Sequence, residues 1–404
     1  MSLSKTALSI KESITLKLNA KAAELRKQGE AVIHLGGGEP KTKAPKKAAE
    51  TAKELLETRE VRYSPSGGLP ELKDAIIDYT KKYYGQDIER ANIIVSGGAK
   101  QSIMTAMKAI LNVGDEVIIP VPYWVSYPEM VRIAGGEPVF VNPKNDSYQP
   151  AIEDIEKAVT PKTKMILLNS PSNPTGLIYS EESICAIVKF CEERKINLVM
   201  DDIYHRLVFD GKSASSCFKF VNKLDGDNRL IIINGISKQY AMTGFRIGWA
   251  VSNKKLIKVM TNIQGHETSG ASTLSQHAAI GALRSDQSSV AELVELLEHN
   301  RNILMNELAK IPGVRAPKPD GTFYCFADFS NYTDNAIELA EFLLDKVKVA
   351  VVPGNAFGIN DHVRISTCGS EDELIEGLRR IKWALDPNEK DPITIGDKNI
   401  EKNW

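Results

Sequence analysis

The sequence predicts an α/β fold: a large domain on a mostly parallel seven-stranded sheet flanked by helices, plus a smaller α+β domain. Three observations predict it. Short apolar runs alternate with longer helical patterns between residues 93 and 251, the signature of helices covering both faces of a parallel sheet. Four of those runs end in polar or glycine-rich turns, which is where open α/β sheets hold ligands. The chain has 404 residues, too many for a single core when a domain averages ~150.

The elements follow in order. Ile93–Ser96, Glu116–Pro120, Glu137–Val141, Lys164–Asn169, Asn197–Asp201, Arg229–Asn234 and Gly248–Val251 are short, apolar and mostly bounded by turn residues, and are expected as strands. Ala99–Leu111, Pro122–Ala134 and Glu181–Arg194 carry helical patterns between them. A long amphipathic helix over Ser288–Lys310 leaves the large domain. Beyond it Gly321–Phe329, Val347–Pro353 and His362–Ser366 are expected as strands and Glu371–Leu385 as a helix. The implied division is 1–47 as a segment joining the small domain, 48–290 as the large domain and 291–404 as the small one. The tail Asp386–Trp404 is polar, holds two prolines and is expected to fray.

Composition narrows the function. Lys and Arg total 51 against 52 Asp and Glu, so no global field favours nucleic acid or a membrane, and an anionic ligand must meet local cations. The five cysteines form no CxxC pair, which points to reduced thiols and a cytoplasmic protein. No apolar run approaches the ~18 residues of a membrane span, and the N-terminus has no apolar signal core. Six scattered histidines form no Cys/His cluster, so no metal is expected. Near-motifs fail on one residue each. Gly36-Gly-Gly meets Lys41 where a dinucleotide fingerprint needs glycine, and Gly211-Lys-Ser has Arg206 where a P-loop needs glycine. His266-Glu has Gly270 in place of a second histidine, and Gly235-Ile-Ser has Gln239 in place of glycine.

The strand ends carry the chemistry. Lys238 follows an apolar strand near the core, where desolvation lowers the pKa of an amine and makes it a nucleophile for carbonyls. That is the chemistry of a pyridoxal phosphate cofactor, which needs four more things. Asp201, ending a strand, can keep the pyridine nitrogen protonated. Gly98, Ala99 and Lys100 open a helix whose free amides suit a phosphate, and Arg246 adds a guanidinium. Asn173 and Tyr204, at two other strand ends, can donate to the phenolic oxygen. Trp124 offers a flat apolar face.

Taken together, these segments resemble the fold-type-I pyridoxal-phosphate enzymes, specifically the class I/II aminotransferases and, within them, the bacterial aspartate aminotransferases. The resemblance runs from Leu35-Gly-Gly-Gly-Glu-Pro through Arg62-Tyr-Ser-Pro-Ser-Gly-Gly, Pro122-Tyr-Trp-Val-Ser-Tyr, Asn173-Pro-Thr-Gly, Asp201-Asp-Ile-Tyr and Ser237-Lys-Gln-Tyr-Ala-Met-Thr-Gly-Phe-Arg to Val363-Arg-Ile-Ser. It implies that Lys238 binds the cofactor covalently and then shuttles a proton. Asp201 would pair with the ring nitrogen, Asn173 and Tyr204 would bind the phenolate oxygen, and Trp124 would stack. Gly98, Ala99, Lys100 and Arg246, with Ser237, would hold the phosphate, and Tyr63 would reach the phosphate of the other subunit of a homodimer. Arg364 would clamp the substrate carboxylate, helped by Asn173 and the backbone at Gly38.

The implied activity is transfer of an amino group from an amino acid, first L-aspartate, to a 2-oxo acid, first 2-oxoglutarate, by a ping-pong mechanism. Aromatic or other neutral amino acids, prephenate, or lyase chemistry on the same fold are the alternatives, and a non-catalytic ligand-binding module is the reading from another class. The sequence departs from the family pattern at four places, one of them Phe245 where a tryptophan is common. Asp202 replaces a glutamate, and Gly235 stands where some relatives have a phosphate-binding serine. Glu267 would place a carboxylate near the substrate side chain, with Lys108 as the cation that could offset it. His34, His205, His266 and His277 are expected to be structural or superficial.

Overall fold

The computed structural model describes residues 2–10, 14–143, 147–221 and 223–404. Seven strands pair in the order Ile93–Ser96, Gly248–Val251, Leu230–Gly235, Asn197–Asp201, Thr163–Asn169, Glu116–Pro120 and Glu137–Val141. The last five are mutually parallel, and Gly248–Val251 runs antiparallel to both of its neighbours. Alternate residues of one strand enter different cores, as a period of two requires. Ile166, Leu168, Leu198, Met200 and Ile232 pack on one face, while Leu167, Val199, Ile231 and Ile233 pack on the other. All nine are essentially inaccessible to water, and full burial of such a side chain contributes ~1.5–3 kcal/mol.

Register delivers the site. Asn169 lies opposite Asp201, and Asp201 lies opposite Ile233, so the polar ends of three neighbouring strands emerge side by side. Gly235 and Ser96 both lie opposite Gly248, which brings the turn after Ser96 beside the segment that carries Arg246.

A second core gathers Leu304, Phe329, Leu343, Leu378 and Ile381 with Leu18, Ile33 and Leu35 from the N-terminal segment. The three-stranded antiparallel sheet of Val352–Pro353, His362–Ser366 and Tyr324–Asp328 belongs here. The expected strand Val347–Pro353 is divided in two. Val349–Ala350 pairs with Ile33–His34, and Val352–Pro353 pairs with Val363–Arg364, because the chain passes from one sheet to the next at Val351.

Two expectations are corrected. The helix expected over Pro122–Ala134 spans Ser126–Ile133. The Tyr123 amide donates to the Phe357 carbonyl at 3.2 Å, so the backbone there is tied to the turn Gly354–Phe357 rather than beginning a helix. The tail is not frayed. Ile393–Ile395 and Lys398–Ile400 form a hairpin around Gly396-Asp397, with Gly396 at φ +64°, a value glycine adopts without strain. Ile393 and Ile395, two residues apart, are buried in the second core, and Trp404 packs edge-on against Trp383 and Phe342. Among the described residues no helix is long and apolar enough to cross a membrane.

Candidate active site

The site is assembled from an anion seat, a buried acid, an amine and a guanidinium fork. The seat lies at the start of the helix Ala99–Ile110. Gly98 precedes it at φ +96°, and a Cβ there would fall 2.7 Å from Arg246 Nη2. Arg246 is itself left-handed, at φ 53°, and its Nη1 donates to the Thr243 carbonyl at 3.1 Å. Its guanidinium therefore covers the free amides of the helix's first turn. Lys100 adds a second positive charge, with Nζ 4.7 Å from the centre of the Trp124 ring. Burial, and then the charge of Arg246, hold the Lys100 amine below its ordinary value. Two cations at a helix N-terminus match a phosphate dianion.

Asp201 is 4% exposed. One carboxylate oxygen accepts from the Tyr127 hydroxyl at 2.7 Å and the other from the Ile203 amide at 3.2 Å. Burial raises this acid to about 6, although both hydrogen bonds and the charge of Lys238 pull it down. A cation placed against it would restore the ionised form. Asn169 supports it from the neighbouring strand, donating from Nδ2 to the Asp201 carbonyl at 2.8 Å while its Oδ1 accepts from the Asn173 amide at 2.8 Å.

The Lys238 amine donates to the Gly38 carbonyl at 2.6 Å. Burial lowers it to about 8; the positive charges of Arg364 and Arg246 add to that, against the opposing effects of Cys368 and Glu39. Arg364, 4% exposed, donates through Nη1 to Asn173 Oδ1 and through Nη2 to the Gly36 carbonyl, both at 3.0 Å. Its Nε has no partner among the described residues, and its guanidinium lies 4.2 Å over the Tyr324 ring. The backbone partner of Arg364 is thus Gly36, while Gly38 meets Lys238.

The structure gathers Gly38, Gly98, Ala99, Lys100, Trp124, Asn173, Asp201, Tyr204, Lys238, Arg246 and Arg364 around this one region, and Ser237 is buried beside Lys238. It leaves Tyr63 apart, 95% exposed. A side chain at Gly235 has no room, since a Cβ would fall 2.8 Å from the Ile247 carbonyl oxygen. Glu267 and Lys108 pair with each other. Three participants escaped the sequence reading. Tyr127 grips Asp201 and stands three residues after Trp124, its amide donating to the Trp124 carbonyl at 2.9 Å, a spacing that could have found it. Tyr324 shares a hydroxyl contact with Tyr204, and a Cβ at Gly38 would fall 3.6 Å from its oxygen. The Thr243 hydroxyl donates to Glu39. The last two contacts join residues far apart in the chain, and no local pattern marks them.

The donor set fits pyridoxal phosphate: a cradle that a Cβ would fill, a buried acid without a cation, a part-neutral amine and an incompletely bonded arginine. When bound, that cofactor supplies an electron-poor ring that accepts the pair released at a substrate α-carbon.

Comparison with known proteins agrees. The sequence profile of the family "Aminotransferase class I and II" matches residues 30–381. The chain is 41% identical to the "Probable aspartate/prephenate aminotransferase" of Aquifex aeolicus, over 93% of this chain and 97% of that one. It is 40% identical to the aspartate aminotransferase of Bacillus subtilis, over 95% and 98%. The solved aspartate aminotransferase of Rhizobium meliloti superposes with a TM-score of 0.91 at 36% identity, over 96% of this chain and 99% of that one. With its sheet, its site chemistry and these relatives in agreement, the chain belongs to the class I and II aminotransferases and works with pyridoxal phosphate.

Proposed function

We propose that the protein transfers the amino group of L-aspartate to 2-oxoglutarate by a ping-pong mechanism, as a cytoplasmic homodimer. The observation that carries this reading is the arrangement of three groups: a Lys238 amine lowered to about 8, the buried Asp201, and an Arg364 fork with a spare N–H. Arg364 and Asn173 bind the substrate carboxylate, which orients the α-hydrogen toward Lys238. A neutral Lys238 amine removes that α-proton and redelivers it, and the ionised Asp201 keeps the ring nitrogen protonated. Tyr204, held by Tyr324, and Asn173 donate to the phenolic oxygen. Gly98, Ala99, Lys100, Ser237 and Arg246 would hold the phosphate, and Trp124 would offer the ring an aromatic face. Tyr63 is an exposed aromatic that a second subunit would bury, and it reaches that subunit's phosphate.

Aspartate is supported by relatives of that name at about 40% identity over nearly whole chains. One observation favours a second reading, a substrate with a neutral side chain: Glu267 already neutralises Lys108. A relative from Streptococcus mutans, 39% identical over 95% of this chain, is named an asparagine–oxo-acid transaminase. The deciding experiment is a donor panel with 2-oxoglutarate, comparing kcat/KM for aspartate, asparagine, phenylalanine and tyrosine, with prephenate as an alternative acceptor. Aspartate leading by tenfold or more supports the first reading. Asparagine or an aromatic amino acid leading supports the second. Sustained 2-oxo acid release without an acceptor would replace transfer by elimination.

A further inference from the structure

Each of three site residues is followed by a polar residue on the opposite side of the strand ends, two of them buried and His205 half-buried. Asp201 is followed by Asp202, Tyr204 by His205 and Lys238 by Gln239. These three followers, with Asn234, meet two tyrosines at the end of the helix Pro70–Tyr84. The Tyr79 hydroxyl donates to Gln239 Oε1 at 2.9 Å and lies 2.9 Å from His205 Nε2. Gln239 Nε2 donates to the Gly235 carbonyl at 3.0 Å and to Asn234 Oδ1 at 3.4 Å. Asn234 Nδ2 donates to the Tyr84 hydroxyl at 2.9 Å and lies 3.1 Å from His205 Nδ1. The Tyr84 hydroxyl in turn donates to Asp202 Oδ2 at 3.0 Å.

The protons can be counted. Tyr79 has one hydrogen, given to Gln239, so the 2.9 Å contact to His205 needs a hydrogen on Nε2. His205 Nδ1 lies 3.1 Å from Asn234 Nδ2 and 3.2 Å from the Asp202 carbonyl oxygen, and accepting the second Asn234 hydrogen requires it to be bare. A neutral His205 protonated on Nε2 satisfies the side-chain contacts and leaves the Asp202 carbonyl, 3.2 Å from Nδ1, without that ring hydrogen. Burial holds His205 down at about 3, so it is uncharged near neutrality, and burial raises Asp202 well above the usual carboxylate range. Gln239 folds back onto Gly235, across the turn that carries Lys238. Asn234 and Asp202 close the ends of adjacent strands, and the Asp202 amide donates to the Ile233 carbonyl at 2.9 Å.

We infer that Tyr79, Tyr84, His205, Asn234 and Gln239 form one hydrogen-bonded layer of positioning residues, which sets Lys238, Asp201 and Tyr204 relative to one another. The inference rests on the roles given to those three residues above. Among the described residues the layer meets the site through the backbone, and it works by geometry. A displacement of about 1 Å at reacting groups can reduce a rate about 100-fold.

The test uses the holoenzyme and three variants. Tyr79→Phe removes the shared hydroxyl and keeps the ring, which packs on Tyr83 and Trp249. Gln239→Met removes the amide and keeps the length. Tyr83→Phe removes a hydroxyl from the same helix outside the layer. Expected for the first two is a 10- to 100-fold fall in kcat with KM for both substrates within about twofold. The pH midpoint of the cofactor absorbance, measured without substrate, should move by about half a unit or more, while Tyr83→Phe moves neither quantity. If Tyr79→Phe keeps kcat within twofold and leaves the midpoint in place, the layer is a packing feature only and the proposal is overturned, whatever happens to the melting temperature. If Gln239→Met does not fold, Tyr79→Phe decides alone. A wild-type absorbance that did not depend on Lys238 would instead overturn the site assignment, so the two failures are distinguishable.

Discussion

The reactivity of Lys238 toward an aldehyde can be worked from the structure. Burial and two nearby arginines bring the amine from the ordinary lysine value of 10.5 to about 8. At pH 7.5 roughly a quarter of the Lys238 amines are then neutral, against ~0.1% for a surface lysine, an excess of about 200-fold in nucleophile. The assay adds one equivalent of pyridoxal phosphate to cofactor-free protein at a series of pH values. Borohydride then traps the adduct, and mass spectrometry locates the added pyridoxyl mass. Labelling should fall on Lys238, reach half its maximum near pH 8, and vanish in Lys238→Ala. Arg364→Leu should move the midpoint up, because Arg364 lowers this amine, and Glu39→Gln should move it down, because Glu39 raises it. The same shift predicts stability. Between about 8 and 10.5 the folded chain binds fewer protons than the unfolded one, so the Lys238 contribution improves as pH rises through that window. Below it the buried charge is a burden, and Lys238→Met should raise the melting temperature of cofactor-free protein at pH 7. A labelling midpoint near 10, or labelling spread over surface lysines, would refute the reasoning.

Two further predictions concern the fork and the tail. Arg364→Leu should raise KM for both the amino acid and the 2-oxo acid by about 100-fold, the loss expected of a charge-assisted bidentate contact, while equilibrium dialysis shows unchanged cofactor affinity. An effect confined to the cofactor would mean that Arg364 and Arg246 exchange roles. Deleting residues 387–404 withdraws Ile393 and Ile395 from the second core, about 3–6 kcal/mol at 1.5–3 per side chain. Denaturant melts should report a loss of that order, and an unchanged midpoint would show that the hairpin does not contribute to the core.

Much of the site was legible because its residues sit at strand ends inside short, local patterns. Asp201, Lys238 and Asn173 each follow a recognisable apolar run, and the order of the runs set the sheet. Tyr204 and Arg246 were found by the same route. What was missed involves partners distant in sequence. Tyr324 reaches Tyr204 across 120 positions, and Thr243 meets Glu39 across 204. The tail misled because its prolines and charges outweighed two isoleucines, whose spacing matters only once a core is present to receive them.

Sequence by itself determined the kind of chemistry and the alternation of elements, since hydrophobic period and turn composition are properties of neighbouring residues. Tertiary structure decided how far burial shifts each group and which charges face it. Asp201 near 6, Lys238 near 8 and a neutral His205 all follow from burial and from distant partners, and desolvation exists only once the chain has closed around a group.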